Sequence, residues 1–276
     1  MSAAPHFHCE ELLRTATVVV CDLQCDGSAP HQEPTSPEPA FLFPYRGMYV
    51  RHCGDDPVVA EAGQVLFQNP NEATRFSHPI AGGDGTLWLQ IAPMMLQELV
   101  PRNLCVQDSM NFSIPRLRID PRTQVLVSLL RHSLKEQIAE PLEAESLSLT
   151  LVHRALGPAT SLAVDATRSR RNLVDRTKLV LASDLSKRWS LAEIGAAMCV
   201  SPVYLTQVFQ QVERIPLYRY HLRLRLARAL DLIATVDDLT AISNELGFSS
   251  HSHFSAAFVQ LYGRTPSEFR DSAVRR

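Results

Sequence analysis

Leu239–Arg270 reads LTAISNELGFSSHSHFSAAFVQLYGRTPSEFR, and two short helices lie in it end to end. Leu239, Ile242 and Leu246 recur at helical spacing, after which Gly247 supplies the left-handed residue that stops a helix. Ser249 and Ser250 can cap a second helix, whose apolar stripe is Phe254, Ala257, Phe258 and Leu261. Two short helices around a tight glycine turn make a helix-turn-helix, the second helix of which enters the major groove of DNA. The residues left outside on it are His251, Ser252, His253 and Ala256. His251 and His253 are no metal pair, because residues two apart on a helix point to different faces.

The same device occurs upstream. Leu191, Ile194, Ala197 and Met198 give LAEIGAAM one apolar face, and Cys199-Val200-Ser201-Pro202 makes the turn, with Ser201 as cap and Pro202 at the first helical position. The next helix, VYLTQVFQQV, turns Leu205, Val208, Phe209 and Val212 inward and leaves Val203, Thr206, Gln207 and Gln210 outside. Pro216–Thr235 between the motifs is a continuous helical pattern. About 20 residues at roughly 1.5 Å each span roughly 30 Å, close to the roughly 34 Å of one DNA turn. Such a helix suits a monomer that reads two successive major grooves.

The run ELGFSSHSHFSAAF followed by YGRTPSEFR resembles the C-terminal signature of AraC/XylS-type transcription regulators. The resemblance implies that Val203, Thr206 and Gln207 face bases in the first motif, and His251, Ser252, His253 and Ala256 in the second. Gln207 is the best reader among them, since its amide pairs bidentately with adenine. Ser201 and Ser250 stand at helix starts that suit phosphate. The same likeness makes Arg225 a brace of the fold. It implies double-stranded DNA and RNA polymerase as partners, activation as the usual mode, and an N-terminal cupin-like barrel that binds a small effector and dimerises. Three residues depart from the pattern: Cys199 and Arg214 stand where the family has Gly, and Gly195 where it has Ala. The first two positions call for positive φ, at a cost of about 1 kcal/mol each, so the first reader is expected to be looser or differently angled.

Charge divides the chain as the motifs do. From Arg168 onward there are 16 Lys and Arg against 10 Asp and Glu; of the totals of 27 and 29, the remainder holds 11 against 19. A basic C-terminal part beside an acidic N-terminal part suits a DNA-binding module joined to another kind of module. No apolar run approaches the ~20 residues that cross a bilayer, and MSAAPHFHCEELLR lacks a signal-peptide pattern. A cytoplasmic protein with no membrane partner is expected, its six scattered cysteines reduced.

The first half reads as β structure: Thr17–Cys21, Ala40–Phe43, Gly47–His52, Gln64–Gln68, Ala73–His78 and Thr86–Ala92 are β-prone runs. Gly, Pro, Asn and Asp punctuate the gaps, and Cys25–Pro39 reads as an irregular loop. Short strands of this kind build a sandwich or barrel. Pro121–Ala139 and Glu143–Leu156 then turn helical, and the broad apolar surface of the second (Leu147, Leu149, Leu151, Val152, Leu156) suits either its own barrel or a partner subunit, with a homodimer favoured. The expected fold class is α+β, with a cupin-like barrel and flanking helices over 1–156, a linker over 157–172 and an all-α DNA-binding domain over 173–276. Its motifs span 191–212 and 238–262. In that domain Leu173–Lys187 is read as a helix with Val174, Leu179, Val180 or Leu181, and Leu185 inward. Trp189 and Phe209 read as core.

Tyr49, Arg51, His52 and Trp88 are candidates for the effector pocket, although strand alternation sets His52 opposite Tyr49 and Arg51. A catalytic cupin needs His-x-His on a barrel strand; His6-Phe7-His8 precedes the first strand, and His31, His52 and His78 are scattered. No catalytic residue, metal or cofactor is therefore expected, and the protein is read as a regulator rather than an enzyme. Two alternatives stand beside this: a cupin-type metal enzyme fused to a DNA-binding tail, and a thiol-based redox regulator using Cys21, Cys25 or Cys53.

Overall fold

A computed structural model describes residues 7–27, 31–32, 36–53, 56–107, 109–157 and 167–274. Those up to residue 157 and those over 167–271 form two compact units.

The first unit consists of two antiparallel sheets. Strands β1 (Phe7–Arg14), β2 (Val18–Cys25), β4 (Ala40–Arg46), β7 (Gln64–Gln68), β9 (Asp84–Ile91) and β10 (Arg116–Arg118) form one, in the order β1-β2-β9-β4-β7-β10. Strands β3 (His31–Gln32), β5 (Met48–Cys53), β6 (Asp56–Glu61) and β8 (Arg75–Ser77) form the other, in the order β3-β8-β5-β6. Period-2 alternation gives the larger sheet two buried faces. On one, Val18, Val20, Phe41, Phe43, Val65, Phe67, Leu87 and Leu89 form a core with α1 (Pro93–Leu99), α2 (Pro121–Lys135) and α3 (Pro141–Ala155). On the other, Leu42 and Leu66 meet Tyr49, Val58, Ala60 and Phe76 of the smaller sheet.

Four strands, β1, β3, β6 and β10, lie outside the β-prone runs. β1, FHCEELLR, carries charges and helix formers, yet it completes an edge by pairing with β2 from Phe7↔Cys25 to Arg14↔Val19. β6 and β10 are short and interrupted by Pro57 or flanked by Arg. Part of the expected loop Cys25–Pro39 is strand, since His31–Gln32 pairs with Arg75–Phe76; residues 28–30 and 33–35 lie outside the described residues.

α2 starts where Asp120 accepts from the Arg122 and Thr123 amides ahead of Pro121. The apolar face of α3 is taken up by its own unit: Leu151, Val152 and Leu156 are buried, and Leu147 and Leu149 pack on the same core. That surface therefore gives the homodimer expectation no support.

The second unit is all helical: α4 (Arg168–Ser183), α5 (Leu191–Met198), α6 (Pro202–Glu213), α7 (Leu217–Ile233), α8 (Leu239–Glu245), α9 (His251–Tyr262) and α10 (Pro266–Val274). α4 begins inside the stretch read as linker, because RSRRN holds good helix formers and no breaker; residues 158–166 of that stretch lie outside the described residues. The face α4 buries is Val174, Thr177, Lys178 and Leu181, while Leu179, Val180 and Leu185 are only partly buried. The linking helix α7 is 17 residues long, about 25 Å rather than the expected 30. Among the described residues no single helix is long and apolar enough to cross a membrane.

Candidate nucleic-acid interface

Both motifs form from local signals. Ser190 caps α5 by accepting from the Glu193 amide, and Glu193 reaches back to the Ser190 amide, a complete capping box. These hydrogen bonds, with Lys187 at 3.1 Å, hold the Glu193 carboxyl down at about 2. α5 and α6 then meet at 87°. Cys199 (φ 57°, ψ 40°) and Arg214 (φ 58°) adopt the left-handed conformation at the ends of α5 and α6, as their glycine-like positions require. Gly195 is not a source of looseness. A Cβ there would lie 2.9 Å from the Val200 carbonyl oxygen, so glycine lets the turn close. Leu191 and Ala197, expected inside, are exposed; Ile194, Gly195 and Met198 form the buried face of this one-sided, two-turn helix.

α6 buries Leu205, Val208 and Phe209, and Val212 in part. It presents Val203 (66% exposed), Gln207 and Gln210 to solvent. Thr206 is only partly exposed and its hydroxyl donates to the Val203 carbonyl at 2.9 Å, so its hydroxyl proton is already committed. Tyr204, not singled out in the sequence, is 44% exposed on the first turn. The signal was available, since its neighbours Leu205 and Val208 fix which side is inward.

α9 buries Phe254, Ala257, Phe258 and Tyr262, with Leu261 partly exposed, and leaves His251, Ser252, His253 and Ala256 outside. His253 is less free than the other three: its Nδ1 lies 3.1 Å from the Ser249 hydroxyl, and its ring sits edge-on to Phe248 at 5.6 Å. Ser201 and Ser250 are both exposed and each spends its hydroxyl oxygen on its own helix, accepting from the Tyr204 and His253 amides. Pro202 brings no amide proton, so the start of α6 offers a phosphate fewer donors than the start of α9.

Two devices, one buried and one partly buried, set these helices in place. Lys178 of α4 and Glu213 of α6, 0% and 3% exposed, form an ion pair of 2.9 Å. Arg225 of α7 donates to the carbonyls of Leu185 (2.6 Å), Lys187 (2.9 Å) and Gly247 (3.3 Å), so the expected brace joins the approach to α5 with the turn before α9. Gly247 (φ 71°) presses on Ser186, whose carbonyl oxygen would stand 2.2 Å from a Cβ. Phe209 is fully buried against Tyr220, whereas Trp189, read as core, is half-buried with the Lys187 ammonium 3.8 Å over its ring.

The effector candidates do not share one pocket. A cavity of about 280 Å³ is lined by Arg51, Cys53, Val58, Phe67, Glu72 and Phe112 among others. Arg51 is buried there, donating to the Phe67 carbonyl and pairing with Glu72 at 2.7 Å. Tyr49 points inward as Arg51 does, but it lies in the filled centre between the sheets, against Phe76 at 5.6 Å. Trp88 packs on that centre and donates to Gln68 at 3.0 Å. His52 faces the other way, toward the Ser77 hydroxyl at 2.8 Å. Strand alternation separates His52; close packing removes Tyr49 and Trp88. Among the described residues no three His, Cys, Asp or Glu side chains are arranged to hold a metal.

Comparison with known proteins fits this geometry. A family model described as a helix-turn-helix domain matches residues 194–272. The "Probable transcriptional regulator LumQ" of Photobacterium leiognathi is 30% identical over 238 residues, covering 84% of this chain and 89% of LumQ. The transcriptional activator AggR of Escherichia coli is 34% identical over 96 residues, 34% of this chain and 36% of AggR. Among crystal structures, a transcriptional regulator with an AraC-type DNA-binding domain from Chromobacterium violaceum is 26% identical at a TM-score of 0.37, over 39% of this chain and 96% of its own. ToxT of Vibrio cholerae O395 covers 90% of this chain and 98% of its own at 11% identity and a TM-score of 0.38.

Proposed function

The chain belongs to the AraC type of transcription regulators, and from that membership we propose that it reads double-stranded DNA through α6 and α9 as a two-motif monomer unit. The carrying observation is that both second helices expose uncharged side chains able to bond base edges, Gln207 and Gln210 on one and His251 and Ser252 on the other, while Arg225 ties the approaches to both. Phosphate contacts supply most of the affinity and make it fall with salt; a few base contacts supply sequence. Ser201, Val203, Thr206 and Ala256 complete the groove-facing set, and His253 shapes the turn as much as it reads.

The regulator acts in the cytoplasm as a homodimer and, like the activator AggR, promotes transcription together with RNA polymerase. Its sheet unit takes a small effector in the cavity around Arg51, where a buried guanidinium beside Phe67 and Phe112 suits a ligand with a polar end and an apolar body. Binding rather than catalysis is its role.

A footprint of the full-length protein upstream of its own gene, at two salt concentrations, tests the reading. Two successive protected major-groove patches on one DNA face, fading with salt, are expected. Gln207→Ala is expected to weaken the specific complex by roughly 1–3 kcal/mol and relax one base preference. An unchanged base preference removes Gln207 from the readers, and no protection at either salt overturns the reading.

A further inference from the structure

At the end of β2, the Cys25 sulfur lies 3.5 Å from Nε2 of His78, and Nδ1 of the same ring lies 2.5 Å from the Asp84 carboxylate. The Gly27 amide donates to that sulfur at 3.4 Å. All three side chains are sequestered: Cys25 is 4% and Asp84 6% exposed, and the His78 side chain 1%. The β8–β9 turn brings them together. Gly83 runs so close to β2 that a Cβ on it would stand 2.2 Å from the Cys25 carbonyl oxygen, which seats His78 over the thiol. The three donors form a chain rather than a cage, since sulfur and carboxylate meet opposite nitrogens of one ring. That is the arrangement of an activated nucleophile: a base against the thiol, a carboxylate fixing the base, and an N–H donor for the developing sulfur charge.

We propose that Cys25 is a peroxide-reactive thiol and that the sheet unit thereby carries a covalent sensing site. His78 takes the thiol proton. The thiolate attacks one oxygen of hydrogen peroxide and the O–O bond breaks. That oxygen stays on sulfur as a sulfenic acid, and the other leaves as hydroxide, takes the proton held by His78 and departs as water. Sulfur loses two electrons and the peroxide gains them. Peroxide is hardly larger than water, which suits a closed site. Two other cysteines of the sheets are held as thiols: burial pushes Cys21 up to about 12 and raises Cys53 as well.

The test is chemical and independent of DNA binding. Full-length protein is treated with hydrogen peroxide in the presence of a dione that traps sulfenic acid, and the labelled cysteines are timed by mass spectrometry. Cys25 is expected to label ahead of the exposed Cys9 and Cys199, the reverse of what accessibility alone dictates. His78→Gln is expected to slow Cys25 labelling by about tenfold or more, and Asp84→Asn to slow it in the same direction. Labelling of Cys9 or Cys199 before Cys25 in the unaltered protein overturns the proposal, as does an unchanged Cys25 rate in a folded His78→Gln variant. The order within the unaltered protein decides the matter even where a variant fails to fold.

Discussion

Arg225 Nη1 donates to the carbonyl oxygen of Gly247 at 3.3 Å, and through its other nitrogens the same guanidinium holds Leu185 and Lys187. One side chain thereby fixes the approach to the first reading helix and the turn before the second. Only a planar fork of donors reaches several carbonyls at once, so Arg225→Lys is expected to destabilise the protein by about 2–3 kcal/mol although it keeps the charge. Thermal unfolding reads the loss, and DNA affinity falls with it. Unchanged stability would make the clamp dispensable.

Lys178 and Glu213 are buried together, and removing one partner leaves the other's charge stranded. Lys178→Met alone is expected to cost about 3–5 kcal/mol, while Lys178→Met with Glu213→Leu recovers most of it. Urea unfolding of the two single variants and the double completes the cycle. Purely additive losses would show that the pair is not coupled.

Cys199 and Arg214 hold φ near 57° without being glycine. Cys199→Gly and Arg214→Gly are each expected to raise stability by about 0.5 kcal/mol at most, since releasing about 1 kcal/mol of Cβ strain is partly offset by about 0.5 kcal/mol or more of added chain entropy. Calorimetric melting of each variant checks the sign; lowered melting temperatures would mean the strain is already relaxed.

His221 of α7 is pushed down to about 4 by burial and by the neighbouring Arg225 guanidinium, with Asp184 opposing. In the unfolded chain the ring titrates near 6.5. Between those values the unfolded chain binds more protons than the folded one, so stability is full above about 7 and declines as pH falls from about 6.5 toward 4. Allowing for solvent screening at this partly exposed site, the decline amounts to about 2 kcal/mol. Urea midpoints across that range measure it, and His221→Leu is expected to flatten the curve. An equally steep curve in that variant would assign the decline to other groups.

The helices of both motifs were legible because their signals are short-range. Ser201 and Pro202, and Ser250, act within three residues of themselves, and Gly247 announces its left-handed φ at its own position, whereas the capping box of Ser190 and Glu193 was passed over. Period-3.6 patterning then gave Phe254, Ala257 and Phe258 their inward direction, and period-2 patterning gave Tyr49 and Arg51 theirs. Hydrophobic periodicity misplaced Leu191 and passed over Lys178, because whether a face is buried depends on what packs against it. Lys178 sits inside only since α6 brings Glu213 to it. The Arg225 clamp spans 40 residues to Leu185, and the Cys25–His78 contact spans 53. No local propensity encodes such pairs; chain folding alone brings their atoms within bonding distance, and low-dielectric burial then gives those bonds their strength.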